Sequence, residues 1–392
     1  CRFGRVKNKG VYDFIFAGAG ASTLQIVWQM LQHEHFKHKS ILILEENSNK
    51  INDRTWCFWE HKSNENWSPF VHCQWDNITF SSDTSQLQES ILPYSYKMIR
   101  SHAYYTHMHE LMATNKNIDL RYEKVEAFEA DGEIVHVSTA ENSYVGAYFF
   151  NSIFDWNALR QQSKYPVLQQ HFIGWFIKTK ENCFDLNTAT FMDFSVEQKG
   201  NTRFMYVLPL SRNEALIEYT LFSENLLKYP EYEREIRQYL TQKNIRDYVI
   251  TETEQGSIPM TCYPFSKHNS KRVLHIGSAG GWTKASTGFT FKFIEKKAIE
   301  LVTFLSEQSD MRLFEKRNRF WWYDLLFLDV LAQNNHKGSF LFSRMFQRNN
   351  PKTILRFLDE KTAFTEEVRI MRSFPVGVFV CQLIRRLMRS LH

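Results

Sequence analysis

IGSAGGWTKASTGFTF, residues 276–291, pairs with a stretch far upstream, YDFIFAGAG at 12–20. In the upstream piece Asp13-Phe14-Ile15-Phe16-Ala17 is a short, mostly apolar run, as a buried parallel strand should be. Gly18-Ala19-Gly20 follows at once, and Leu24, Val27, Trp28 and Leu31 then share one face of a helix. The first Gly makes a tight turn and the second lets the backbone approach a pyrophosphate. The helix amino end adds amide donors and a favourable dipole. Ile41-Leu42-Ile43-Leu44 is a second buried strand ending in Glu45. A carboxylate there is placed to accept hydrogen bonds from adenosine ribose hydroxyls. Thr23 occupies the third position of the Gly-x-Gly-x-x-Gly pattern and is expected to push the helix slightly outward.

The downstream piece reads as strand, glycine-rich loop and helix start. Gly277 opens the loop, and Gly280 and Gly281 let the backbone approach a flavin. A helix beginning near Gly288–Thr290 points its positive end at the flavin pyrimidine edge, which favours a reduced, anionic flavin. Two such loops, about 250 residues apart in a chain of 392, imply one FAD gripped from both ends of the sequence. The fold class is α/β: a flavoprotein with two dinucleotide-binding regions, of the glutathione-reductase-like FAD-binding type. The competing reading is that Gly18 and Gly20 merely make a turn.

Composition narrows the field. The net charge of +5 is modest, and no basic stripe stands out before the last 25 residues, so a nucleic-acid partner is not indicated. The six Cys show no C-x-x-C and the 14 His no H-E-x-x-H, so neither a disulfide framework nor a metal site is signalled. A reducing cytoplasm fits. No signal peptide is read, and the chain begins Cys1-Arg2 without a Met. Aromatic residues make up 15%, an excess that suits a pocket for a long apolar substrate.

The absence of repeats and linkers argues for interleaved domains. Residues 12–84 read as the first part of the FAD-binding region, 85–164 as further FAD-binding or connecting elements, and 165–262 as a substrate-binding sheet. Residues 263–306 read as the second FAD-binding part, and 307–392 as a helical carboxy-terminal region.

Directly after the second strand comes Asp53-Arg54-Thr55-Trp56-Cys57-Phe58-Trp59. This run is similar to the lycopene β-cyclases of carotenoid biosynthesis, the single-chain bacterial type. The likeness recurs, in family order, at Met192-Asp193-Phe194, Tyr206–Leu210, Leu216-Ile217-Glu218-Tyr219-Thr220, Gly256–Thr261, Gly277–Gly281 with Ser286-Thr287-Gly288, and Ile354–Thr362. The resemblance implies that reduced FAD, kept so by NAD(P)H, assists a non-redox cyclisation of lycopene, or another acyclic carotene, to β-ionone rings.

Period-two alternation puts Leu216, Glu218 and Thr220 on one strand face. A carboxyl among apolar and aromatic neighbours stays protonated and can act as an acid. The plain reading is a solvated glutamate on an edge strand. The resemblance assigns Glu218 the acid–base step, matching the family's Glu-x-Thr motif. Tyr219 stands where other members often have a second acid, so no paired carboxyl is expected. Asp53 and Arg54 read either as a salt-bridged loop or, with Arg54, as a contact to the FAD phosphates or flavin edge. Trp56, Phe58 and Trp59 are then expected to line the pocket. Where the family often has Pro the chain has Ala285, expected to loosen the loop.

Two other classes remain open. One is a flavin monooxygenase, halogenase or prenyl reductase on the same scaffold, echoed by Gly174-Trp175-Phe176-Ile177. The other is a non-catalytic carotenoid- or flavin-binding protein. The oligomeric state is not legible. No stretch reaches the roughly 18–20 apolar residues that span a bilayer. A helix through 376–391 places Phe379, Val380, Leu383, Ile384, Leu387 and Leu391 on one side. Gln382, Arg385, Arg386 and Arg389 fall on the other. It suits a peripheral contact with the cytoplasmic face of a membrane. The alternative is a helix packed on the protein with its Arg residues in water.

Overall fold

The computed structural model describes residues 10–49, 52–82 and 85–390. Strand β1 (Tyr12–Ala17) is flanked by β2 (Ile41–Leu44) and β11 (Ser143–Asn151), both parallel to it. It is central because both of its faces are apolar. Phe14 and Phe16 meet the helices on one side, while Ile15 and Ala17 join a second cluster on the other. β8 (Ile118–Arg121) continues the sheet beyond β2, and β17 (Val273–His275) runs parallel to the last residues of β11. β10 (Ile134–Thr139) and β9 (Val125–Asp131) complete it antiparallel. The two glycine turns thus emerge side by side, although one follows β1 and the other β17.

Helices α1 (Ala21–Gln32) and α5 (Phe291–Glu307) pack on one face of this sheet. The buried side of α1 is wider than the four expected positions: Ile26 and Met30 are fully buried, whereas Trp28 and Leu31 are only partly covered. α2 (Ser101–Ala113) closes the same cluster.

A second seven-stranded sheet has the order β16 (Tyr248–Met260), β12 (Leu168–Thr179), β15 (Glu214–Ser223), β14 (Thr202–Pro209), β13 (Thr188–Asp193), β5 (Asn77–Ser82), β6 (Ser85–Ser90). Residues 77–82 and 85–90, expected among the FAD-binding and connecting parts, join this second sheet instead, because β5 pairs parallel with β13. A three-stranded sheet, β3 (Thr55–His61), β7 (Tyr94–Arg100) and β4 (Val71–Trp75), stands between the two.

Alternation sorts the second sheet's faces. Ile217, Tyr219 and Leu221 pack under α4 (Tyr229–Gln242), while Leu216 and Phe222 face the aromatic core. That core is closed by α6 (Arg319–Gln333), α7 (Gly338–Arg348), α8 (Pro351–Leu358), α9 (Phe364–Ser373) and α10 (Val376–Ser390). The short α3 (Trp156–Arg160) bridges the nucleotide sheet to β12. No helix among the described residues is long and apolar enough to cross a membrane.

Candidate active site

A cavity of about 740 Å³ is walled by both glycine turns, the second sheet and the carboxy-terminal helices. At the first turn Gly18 has φ +90°, and a Cβ there would collide with the Ser152 hydroxyl. Gly20 caps the amino end of α1 and lines the cavity, with nothing within 4 Å of where its Cβ would stand. Glu45 lies off the cavity wall: its Oε2 accepts from Ala19 N at 2.6 Å and its Oε1 from Asn47 N at 3.0 Å. It ties β2 to the turn. Thr23 is fully buried, and its hydroxyl donates to the Gly18 carbonyl at 2.6 Å, closing the turn onto the helix.

At the second turn Gly277 (φ +57°) and Gly288 (φ +75°) line the cavity. Gly280 and Gly281 do not, which corrects the expectation that they open the backbone to a flavin. A Cβ on Gly280 would strike the His275 carbonyl, and one on Gly281 would fall 2.8 Å from the Phe265 ring. These two glycines serve the loop's own packing; Gly277, Ser278 and Thr287 stand on the wall instead.

The loop is firmly held despite Ala285. Lys284 is buried and reaches Asp324 at 2.8 Å and Glu360 at 3.4 Å, while Ser286 donates to Asp324 at 2.8 Å. Burial disfavours the Lys284 charge, but the two carboxylates more than offset it and hold its pKa above the usual lysine range.

Arg54 lines the cavity and is exposed. Its Nη1 donates to the Asp53 main-chain carbonyl at 2.6 Å, and its amide donates to Ser101 Oγ, which in turn donates to Asp53 Oδ1. Of the three aromatic residues that follow, only Trp56 reaches the wall. Phe58 stacks on Phe291 in the nucleotide-side core, and Trp59 donates its indole N–H to Leu355 O at 3.1 Å. Both are core residues, not pocket lining.

The acidic part of the cavity wall is built around Glu218. This residue is 8% exposed, on β15, directly opposite Tyr206 on β14 and Gly174 on β12. Thr220, two residues on and facing the same way, donates to its Oε1 at 2.5 Å. Gly174 is in turn opposite Glu254 on β16, so Tyr206, Glu218, Gly174 and Glu254 form one row across four strands. Glu254 is also 8% exposed, also lines the cavity, and accepts from Thr55 Oγ1 at 2.6 Å. The expectation that no second acid accompanies Glu218 is therefore wrong. Tyr219 points to the α4 side and accepts from Arg203; the second carboxyl arrives from another strand.

Burial, then the neighbouring Glu254 charge, push Glu218 up from 4.5 to about 8, against the Thr220 hydroxyl. Glu218 is thus a protonated acid at neutral pH. The adjoining wall carries Cys57 and the mutually hydrogen-bonded Tyr96 and Tyr206 hydroxyls, all held neutral chiefly by burial. Rings of Phe172, Phe191, Phe204, Phe289 and Phe346 line the remaining space.

Two buried polar atoms on this wall, Gln170 Oε1 and Thr287 Oγ1, have no hydrogen-bond partner. Such atoms are rare in native structures and mark a place for a polar ligand. With the bare Gly20 wall and the amino ends of α1 and α5, they fit an FAD: amides for its phosphates, acceptor and hydroxyl for its ring.

The sequence profile of the lycopene cyclase protein family matches residues 13–383. The chain belongs to this family. Among curated cyclases, it is 25% identical over 257 residues to a lycopene beta-cyclase of Pantoea ananas, a match covering 64% of this chain and 63% of that protein. The aligned part thus spans under two thirds of the relative's length. Solved structures share the fold at low identity. A geranylgeranyl bacteriochlorophyll reductase-like protein from Thermoplasma acidophilum superposes with TM-score 0.61 at 9% identity, covering 96% of this chain and 99% of that one. A flavoprotein/dehydrogenase from Cytophaga hutchinsonii gives 0.57 at 11%, covering 93% and 100%. The cyclase family is thus built here on a flavoprotein scaffold.

Thr55, Gly174, Gln170 and Glu254 were not singled out as site residues from the sequence. Thr55 lies inside the family's Asp-Arg-Thr-Trp run and Glu254 two residues before its Gly256–Thr261 stretch, and that adjacency is the signal that was present. Which strands lie beside β15 is set by long-range pairing and carries no local signature.

Proposed function

We propose that the chain is a lycopene β-cyclase, converting the ψ-end groups of lycopene to β-ionone rings and so, over two rounds, to β-carotene. The observation that carries the reading is Glu218: a buried, protonated acid facing an aromatic-lined cavity whose wall also includes dinucleotide-type glycine turns. Protonation of a terminal double bond by its carboxyl leaves a tertiary cation. The aromatic faces around it stabilise positive charge without offering a nucleophile, and they exclude the water that would trap it. Attack by an internal double bond closes the ring, and loss of a ring proton restores neutrality.

Gly18, Gly20, Gly277, Gly288 and Arg54 are the residues to hold FAD, with Gln170 and Thr287 completing its surroundings. When bound and reduced, with NAD(P)H as reductant, that group supplies negative charge beside the cation. The halogenase echo at Gly174–Ile177 has a structural origin. Trp175 is fully buried under α4 with Arg237 over its ring, and Gly174 leaves room for Glu254.

A C40 hydrocarbon is met in a bilayer, and α10 suits that contact in an unexpected way. Its polar side faces the protein: Gln382 and Arg385 bond Gln333, and Arg386 pairs with Asp329 and donates to Lys164 O. Val380, Leu383, Ile384, Leu387 and Met388 are outward and roughly half exposed. Phe379, Val380 and Leu383 also line the cavity, so the apolar face adjoins the substrate space. The alternative with the Arg residues in water does not hold, since Arg385 and Arg386 are bound to the protein, and the apolar side is the exposed one. Leu391 and the Arg389 side chain lie outside the described residues.

Expression in lycopene-accumulating cells, with chromatography of the pigments, tests the reading. Conversion to β-carotene by the wild type and not by Glu218→Gln is expected; unconverted lycopene with the wild type would refute it.

A further inference from the structure

Glu218 and Glu254 are two strands apart, and strands lie about 4.8 Å from one another, so their backbones are separated by roughly 10 Å. Any side chain on the strand between them would stand in the way. Gly174 occupies that position in the register on both sides. A Cβ there would fall 2.8 Å from Leu216 Cδ1, 3.1 Å from Glu254 Cγ and 3.4 Å from Glu254 Oε1, so the Leu216 and Glu254 side chains both close over the glycine between the two acids.

We propose that Glu218 and Glu254 act as a one-proton pair across the gap at Gly174, with Glu254 carrying the negative charge and Glu218 the proton delivered to substrate. The proposal rests on the cyclase reading and assigns Glu254 a positioning role within it. The Glu254 charge acts on Glu218, and two buried carboxyls coupled in this way do not readily ionise together. Their surroundings decide which one does. Burial raises Glu254 too and the Glu252 charge adds to that rise, but the Thr55 hydroxyl and the positive charges of Arg100 and Arg54 oppose it, whereas Glu218 has the Thr220 hydroxyl alone to support its charge.

The other groups facing the pair come from every neighbouring element. β3 contributes Cys57, β7 Tyr96 and Arg100, and β14 Tyr206. β16 adds Glu252, which is itself ion-paired with Arg100 at 2.5 Å. The thiol and phenols are held neutral by burial, so the charge opposite Glu218 is that of Glu254.

The proton count closes. The Glu218 O–H bond breaks as a C–H bond forms at the terminal double bond. The ring C–C bond then forms, and a ring C–H bond breaks with its electrons making the new double bond. That proton returns to the carboxylate pair, and Glu254 is not consumed.

The test is the pH profile of cyclisation of lycopene in phosphatidylcholine liposomes by the FAD-loaded, reduced enzyme. Rate should fall on the alkaline side as Glu218 ionises near pH 8. In Glu254→Gln that limb should move to lower pH by about one unit or more, with FAD content unchanged. Gly174→Ala keeps both acids but fills the gap, and should move the limb the same way by less. An active Glu254→Gln with an unshifted limb overturns the proposal. Should neither variant fold, infrared titration of the wild type decides. Two buried carboxyls ionising in separate steps, one below pH 7 and one near 8, support the pair; a single step, or two neutral carboxyls at pH 7, overturns it. A wild type that forms no rings contradicts the cyclase reading instead, and the infrared titration still reports on the pair.

Discussion

Glu218 was legible at the level of the residue because alternation along one strand fixes its face; its partner Glu254 was not, because register across three strands is a tertiary property. The raised Glu218 pKa has a consequence for stability. The folded chain keeps a proton that the unfolded chain releases above about 4.5, so stability falls as pH rises from about 4.5 to about 8. The slope approaches about 1.4 kcal/mol per pH unit at its steepest. Denaturant midpoints measured across this window should show that fall, and Glu218→Gln should flatten it. Lys284 makes a different prediction. Its side chain is 2% exposed and neutralises Asp324 and Glu360 together. Lys284→Met leaves the buried Asp324 without its cation, although Glu360 keeps Lys296 at 3.1 Å, and is expected to cost about 3–5 kcal/mol. A loss below 1 kcal/mol in equilibrium unfolding would show that the loop is not anchored there. Neither acid was readable as a partner of Lys284, since they lie 40 and 76 positions further on.

Elements with a strong local pattern were read correctly: β1, α1 and β2 from an apolar run, a glycine turn and helical spacing, and the strand that carries Glu218 from alternation. Strands β5 and β6 were not placed, because their polar, half-exposed faces carry little pattern and their place depends on the parallel pairing with β13. The two glycines of the first turn should separate by function. Gly18→Ala meets both a positive φ and the Ser152 hydroxyl, so folding yield should drop. Gly20 has φ −82° and open space beyond it, so Gly20→Val should fold normally yet bind much less FAD, measured as flavin absorbance per chain. For α10, Leu383→Ser with Ile384→Ser and Leu387→Ser should weaken flotation with anionic liposomes while changing stability by no more than about 0.5 kcal/mol per site, as exposed positions do. Unchanged flotation would place the membrane contact elsewhere. Deleting the helix is a poorer test, because it also strips Arg386 from the buried Asp329.

At the scale of the molecule, one cavity is shared by parts of the chain that are far apart in sequence: the turns after β1 and β17, the Thr55 strand, the Glu218 sheet and the last five helices. The fold class was legible because two glycine-rich turns at opposite ends imply one dinucleotide between them. The cavity's extent was not, since it follows from how sheets and helices are stacked. On the cyclase reading, a carboxylic acid in this cavity adds a proton to a polyene and the net reaction moves no electrons. Reaction of the reduced, FAD-loaded protein with lycopene in deuterated buffer, followed by mass spectrometry of the product, tests it most directly. Glu218 exchanges its proton with solvent, so β-carotene should carry up to one deuterium per ring and otherwise keep the mass of lycopene. A product changed by two hydrogens or by one oxygen would contradict the account and make the protein an oxidoreductase on the same scaffold.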